Sequence, residues 1–124
     1  MEKRYTIGVV GTCGTGKSEL VTRLNHHGIE AHHIAQEHSF NPQMWQLVTN
    51  PDFLVYLRVS YEVTLQRKNF DFTLDEYNEQ LQRLSHAHAH ADLEIDTDHL
   101  TPEEVFKIVM NNLVEANSRF APSE

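Results

Sequence analysis

Gly11-Thr12-Cys13-Gly14-Thr15-Gly16-Lys17-Ser18 is the stretch on which the reading of this chain turns. Its spacing, G-x-x-x-x-G-K-S, is the Walker A or P-loop pattern. The residue types follow from the task. Glycines let the backbone curl so that successive N–H groups converge on phosphate oxygens. A helix that starts at the end of the loop adds its free amides and the positive end of its dipole. Lys17 is then placed to reach terminal phosphates, and the Ser18 hydroxyl to ligate Mg²⁺. The flanks agree with this: Tyr5 to Val10 reads as a buried strand entering the loop, and Ser18 to Asn25 as an amphipathic helix leaving it. Four of the five glycines (Gly8, Gly11, Gly14, Gly16) fall in this one unit. The expected phosphate cradle is Gly11, Thr12, Cys13, Gly14, Thr15, Gly16, Lys17, Ser18 and Glu19.

The remaining bulk properties narrow the class. A chain of 124 residues, 40% hydrophobic and 23% charged, suits one soluble domain with a single core. Residues 1–118 are expected to form it, with 119–124 a frayed tail. The net charge of −8 argues against nucleic acid and against acidic membrane surfaces as partners. Phosphate must therefore be held by local features, against the global field. No long apolar run and no leader sequence is evident, and the single cysteine excludes an internal disulfide, so a reducing cytoplasm is expected. Cys13 itself reads as a small filler side chain pointing away from the phosphates.

Beyond the first helix, which should end at His26-His27-Gly28, Ile29 to Ala35 reads as a second strand and Gln36 to Phe40 as the loop at its carboxyl end. Asn41-Pro42 should start a short helix running from Gln43 to Thr49. Phe53 to Val59 is nearly all apolar and must be covered on both faces, as in a parallel sheet. Ser60 should cap a helix from Tyr61 to Lys68, and Asn69 to Phe72 is a connector. Thr73-Leu74-Asp75-Glu76 is a capping box, launching a helix whose stripe of Leu74, Tyr77, Leu81 and Leu84 should pack in the core. Ala91 to Thr97 alternates as an edge strand would. Thr101-Pro102-Glu103-Glu104 is a second capping box, opening a helix to about Asn117. The predicted fold is three-layer α/β/α with a reduced, roughly four-stranded parallel sheet. Ligands of such sheets bind beyond the carboxyl ends of the strands. That places the glycine loop, Gln36 to Phe40, Arg58 to Ser60 and Thr97 to Leu100 around one crevice.

Three segments give the chain a resemblance to the small P-loop kinases, the group of nucleoside monophosphate, dephospho-coenzyme A and shikimate kinases. They are Ile7 to Ser18, Phe53 to Lys68, and Ala91 to Val105, together about a third of the chain. The resemblance implies ATP and Mg²⁺ as ligands and phosphoryl transfer as chemistry. It makes Arg67 the first candidate for a phosphate-directed arginine; Arg58, a charge at the end of the central strand that is costly unless paired or facing the crevice, is the second, and Arg83 is a weaker third. The chain departs from the group in length: one strand–helix unit between the first helix and Phe53 is missing or shrunken. It also has no aspartate at the end of a strand where the group holds Mg²⁺. Glu37 is expected to fill that role if the second strand lies beside the first, with His38 a neighbouring base. The expected function is an ATP–Mg²⁺-binding protein that moves the γ-phosphoryl group to a nucleotide or small metabolite. The alternatives are an ATPase using water, or a non-catalytic nucleotide-binding module. A GTPase is disfavoured, because the chain contains no N-K-x-D motif. A homodimer could complete so short a site. His86 and His90, one helical turn apart, are a weaker candidate for a shared metal.

Overall fold

The computed structural model describes residues 5–67 and 71–120. Four strands, β1 (Thr6–Gly11), β2 (Glu30–His33), β3 (Phe53–Arg58) and β4 (Leu93–Asp96), form one sheet in the order β2-β1-β3-β4. Every neighbouring pair is parallel, with Val9 opposite His33, Gly11 opposite Leu57 and Arg58 opposite Asp96. All four carboxyl ends therefore lie along one edge of the molecule.

Parallel strands need helical crossovers, and these cover both faces. Ile7 and Val9 of β1 and Phe53, Val55 and Leu57 of β3 pack on one face. They meet Leu20, Val21 and Leu24 of helix α1 (Lys17–His26) and Val105, Val109 and Leu113 of helix α6 (Pro102–Phe120). The alternate residues, Val10, Leu54 and Tyr56, point the other way. There they meet Trp45 of α2 (Met44–Val48), Ala87 of α5 (Ser85–His90), and Leu84, the residue between α4 (Leu74–Arg83) and α5. The remaining helix, α3 (Tyr61–Arg67), follows β3. This is the expected three-layer arrangement. Among the described residues no helix is long and apolar enough to cross a membrane.

Local signals mostly hold. Both capping boxes close reciprocally: Thr73 with Glu76, and Thr101 with Glu104. The Ser60 hydroxyl accepts from the Val63 N–H at 3.3 Å, capping α3 as expected. Lys68, the expected last residue of that helix, lies outside the described residues, as do Asn69 and Phe70 of the connector.

Four expectations are corrected. Asn41-Pro42 does not start a helix. The Asn41 side chain instead accepts from the Gln43 N–H at 3.0 Å, making a turn, and α2 begins at Met44. The expected stripe of α4 is core only at Leu84: Leu74 and Leu81 are exposed while Gln80 is buried. The helix is rotated because Gln80 reaches Cys13 and the Tyr77 hydroxyl donates to the Val59 carbonyl at 2.6 Å. The helical segment also breaks at fully buried Leu84, so the histidine run forms its own short helix. Finally, α6 continues through Phe120, taking in Arg119 of the expected tail; residues 121–124 are outside the described ones.

Candidate functional site at the carboxyl edge of the sheet

The glycine loop joins β1 to α1. At Gly11 it presses on β3: a Cβ there would stand 2.6 Å from the Leu57 carbonyl oxygen, so no side chain fits. At Gly16 the backbone is left-handed (φ 90°, ψ 26°), and this residue is the N-cap of α1. Gly16 brings no side-chain oxygen to the first amides of the helix, so these donors are left to something else. Within the loop the Thr15 hydroxyl donates to the Thr12 carbonyl at 3.0 Å, tightening the curl.

Lys17 is the hub. Its Nζ donates to the carbonyls of Gly11 (2.8 Å) and Thr12 (3.0 Å) and pairs with Glu37 Oε2 at 3.0 Å. Because β2 flanks β1, the chain leaving β2 enters a 3-10 turn at Gln36–His38 directly beside the loop. That turn is fixed from below by Gln36, which is 0% exposed. Gln36 Nε2 donates to the Asn41 carbonyl at 2.8 Å, and its Oε1 accepts from the Trp45 N–H at 2.9 Å. Glu37 is itself buried, and its Oε1 has no hydrogen-bond partner among the described residues. His38 Nε2 stands 3.8 Å from Glu37 Oε2 and 3.9 Å from Cys13 Sγ.

From the opposite side Arg67, the last residue of α3, reaches over the loop. Nη1 donates to the Gly14 carbonyl and to Thr97 Oγ1, both at 3.0 Å, and Nη2 donates to the Thr97 carbonyl. Thr97 is in turn tied to β3, its hydroxyl donating to the Arg58 carbonyl at 2.7 Å. These groups surround a cavity of about 640 Å³ lined by the loop from Cys13 to Glu19, by Glu37, His38 and Arg67, and at one end by Leu100, Pro102 and Val105. Glu19 lines it from an exposed position on the first turn of α1.

Other candidates lie elsewhere. Arg58 does not line this cavity. Its Nη1 pairs with Glu94 at 3.1 Å across β3 and β4, and it borders a second cavity of about 490 Å³ with Tyr56, Tyr77 and His88. The Glu94 hydrogen bond raises the Arg58 pKa. Glu94 itself is held below the usual carboxylate range, first by its hydrogen bond from His88 and then by Arg58. Arg83 reaches the rim only from behind, donating to the Glu37 carbonyl at 3.3 Å while paired with Glu79 and lying over the Phe40 ring. Of the histidine run, His86 Nδ1 accepts from Trp45 Nε1 at 3.1 Å, and Trp45 is buried. Among the described residues the group with metal-ligand spacing is instead Cys13, Glu37 and His38.

Sequence reasoning did not single out Gln80, and it placed Thr97 at the crevice only as one end of the segment Thr97 to Leu100. Gln80 clamps Cys13 twice: the Cys13 N–H donates to its Oε1 at 3.1 Å, and its Nε2 donates to Cys13 Sγ at 3.2 Å. Its signal was present, as a polar residue three after Tyr77 and four before Leu84, on the very stripe expected to be apolar. Cys13 is thus a fixed part of the site and does not point away as filler. The chain matches no protein-family model and no curated protein.

Proposed function

We propose that the protein binds ATP with Mg²⁺ across Gly11–Ser18 and transfers the γ-phosphoryl group to a small acceptor. The observation that carries this reading is the setting of Lys17. It is a cation 10% exposed, resting on loop carbonyls and Glu37 at the uncapped start of α1, with Arg67 facing it across a 640 Å³ cavity. A polyphosphate fits such a place. It would accept from the free amides of Gly14 to Ser18 and draw Lys17 off the carbonyls, in a chain whose overall charge offers anions nothing. The apolar end at Leu100, Pro102 and Val105 suits a planar base. The residues also fit Mg²⁺. Ser18 offers a hydroxyl and Glu37 a carboxylate whose Oε1 is buried and unpartnered. When bound, the ion supplies charge neutralisation for the transferring group.

Transfer then requires alignment and charge more than covalent chemistry. An acceptor oxygen forms a bond to Pγ as the bridge bond from Pγ to the β-phosphate oxygen breaks. The electron pair of that bond leaves with ADP. Lys17 and Arg67 hold the negative charge, and the acceptor proton passes to His38, which stands exposed at the cavity mouth. Hydrolysis is the second reading, favoured by that same exposure of His38 to water.

Incubating the protein with ATP–Mg²⁺ and a panel of nucleotides and hydroxyl-bearing metabolites tests this. The expected result is one phosphorylated acceptor, together with ATP-dependent thermal stabilisation that Lys17→Ala abolishes relative to its own ligand-free baseline. Glu37→Gln should lower turnover roughly 10- to 100-fold while leaving ATP affinity nearly unchanged. Free phosphate alone would favour hydrolysis. Absence of stabilisation by every triphosphate tried would sink the proposal.

A further inference from the structure

We infer that Cys13, Glu37 and His38 form a binding site for a thiophilic divalent cation of the Zn²⁺ class. The site stands on its own geometry, but it shares Glu37 and His38 with the nucleotide reading and therefore describes the nucleotide-free protein. One ligand atom from each residue lies within 4.8 Å of the other two, with Cys13 Sγ 3.9 Å and Glu37 Oε2 3.8 Å from His38 Nε2. Tetrahedral zinc at its usual bond lengths places sulfur, nitrogen and oxygen ligands about 3.3–3.7 Å apart. The two pairs that include His38 lie a few tenths of an ångström outside that range, and the third, within 4.8 Å, closes by up to about 1 Å.

The site is also held in place. Gln80 fixes Cys13 from α4 through its backbone and its sulfur. Glu37 and His38 share the turn that buried Gln36 anchors. The observation that points beyond a chance cluster is Glu37 Oε1. It belongs to a side chain 6% exposed, is buried, and has no hydrogen-bond partner among the described residues, while Oε2 is taken by Lys17. A buried carboxylate oxygen without a donor is costly, and a cation satisfies it. Oε2, the oxygen 3.8 Å from His38, already holds Lys17, so the carboxylate ligates by turning Oε1 to the ion while Lys17 stays on Oε2. His38 is exposed and gives the ion its route in; the cavity beside it leaves room for a water as fourth ligand. Thiolate with imidazole selects a soft or borderline cation over Mg²⁺.

Co²⁺ titrated into the nucleotide-free full chain reads this out, because thiolate ligation gives a near-ultraviolet charge-transfer band and a tetrahedral site gives intense visible bands. The chain has one cysteine, so a thiolate band reports Cys13 alone, whatever the other histidines do. The expected result is one Co²⁺ per chain with both sets of bands, bleached by Zn²⁺. Cys13→Ser should abolish the thiolate band, and Glu37→Gln and His38→Ala should each weaken binding roughly 10- to 100-fold or more. A metal-bound thiolate also loses its nucleophilicity, so Zn²⁺ should slow iodoacetamide alkylation of Cys13 in the unmutated protein by about tenfold or more. That measurement needs no variant to fold. Cobalt binding without the thiolate band, unchanged affinity in both Glu37→Gln and His38→Ala, or unslowed alkylation would each overturn the assignment.

Discussion

Lys17 and Glu37 are opposite charges nearly removed from water, with side chains 10% and 6% exposed and Nζ 3.0 Å from Oε2. Removing one member of such a pair strands the other, which is usually worse than never having had the pair. Lys17→Ala should therefore destabilise the ligand-free protein by about 3 kcal/mol, because it leaves Glu37 charged and buried. Glu37→Gln keeps the shape and strands Lys17 less severely, because Nζ retains the Gly11 and Thr12 carbonyls, and should cost about 1–2 kcal/mol. In the double variant the stranded charge is gone, so its loss should fall short of the sum by roughly 1–3 kcal/mol. Urea unfolding of all four proteins without nucleotide measures this. Additivity within about 0.5 kcal/mol would mean that the pair is not coupled. Arg67 differs in kind: among the described residues it meets hydroxyl and carbonyl oxygens, at Gly14 and Thr97, which it can trade for a stronger anionic acceptor.

Helix α4 is the element that connects local sequence to the site. It starts at a closed capping box, carries Gln80 to Cys13 and brings Arg83 behind Glu37. Thr73→Ala opens the box and should cost about 1 kcal/mol in chemical denaturation. The Thr73 side chain is exposed and remote from the cavity, so Cys13 alkylation by iodoacetamide should rise no more than the lost stability explains. A midpoint unchanged from the parent would show that the cap contributes nothing. The capping boxes at Thr73 and Thr101 were legible because their partners are three residues apart. The β3 strand was legible because burial on both faces demands an unbroken apolar run. The rotation of α4 was not, since it is decided by the Gln80–Cys13 contact across 67 residues. Arg58 was misplaced for a similar reason: its partner Glu94 comes from β4, 36 residues on, and the resulting ion pair turns it toward the second cavity. Glu37 was found because strand adjacency, a single topological fact, was enough to place it beside Lys17.

At the scale of the molecule, the two helical layers are unequal. The layer of α1 and α6 packs on the sheet almost wholly through apolar side chains, whereas the opposite layer contains Tyr56, Trp45, Gln36 and Gln80. Its stability should therefore be the more sensitive to pH. Tyr56 is 3% exposed in the middle of β3, with the His88 ring stacked on it at 4.2 Å. Burial, helped by the nearby Glu94 charge, pushes its hydroxyl up from 10.0 to about 12. In the unfolded chain the same hydroxyl ionises near its ordinary value of about 10. Below that pH the phenol is neutral in both states, and its contribution to the folded state is complete. Above it the unfolded chain loses the proton first, so stability falls as pH rises and continues to fall until the folded pKa is passed. Two units of separation correspond to about 3 kcal/mol, lost between about pH 10 and pH 12. Tyr77 is shifted in the same direction, also mainly by burial, so the contribution of Tyr56 must be read as a difference. Tyr56→Phe removes the ionisable group while keeping the ring against His88. Its unfolding free energy, measured by urea from neutral to strongly alkaline pH, should decline less steeply than that of the parent. The gap between the two curves should widen by about 2–3 kcal/mol over the interval from about pH 10 to pH 12. Parallel curves across that interval would show that the hydroxyl ionises as readily in the folded protein as in the unfolded chain, and that this layer of the core is wetter than its packing implies.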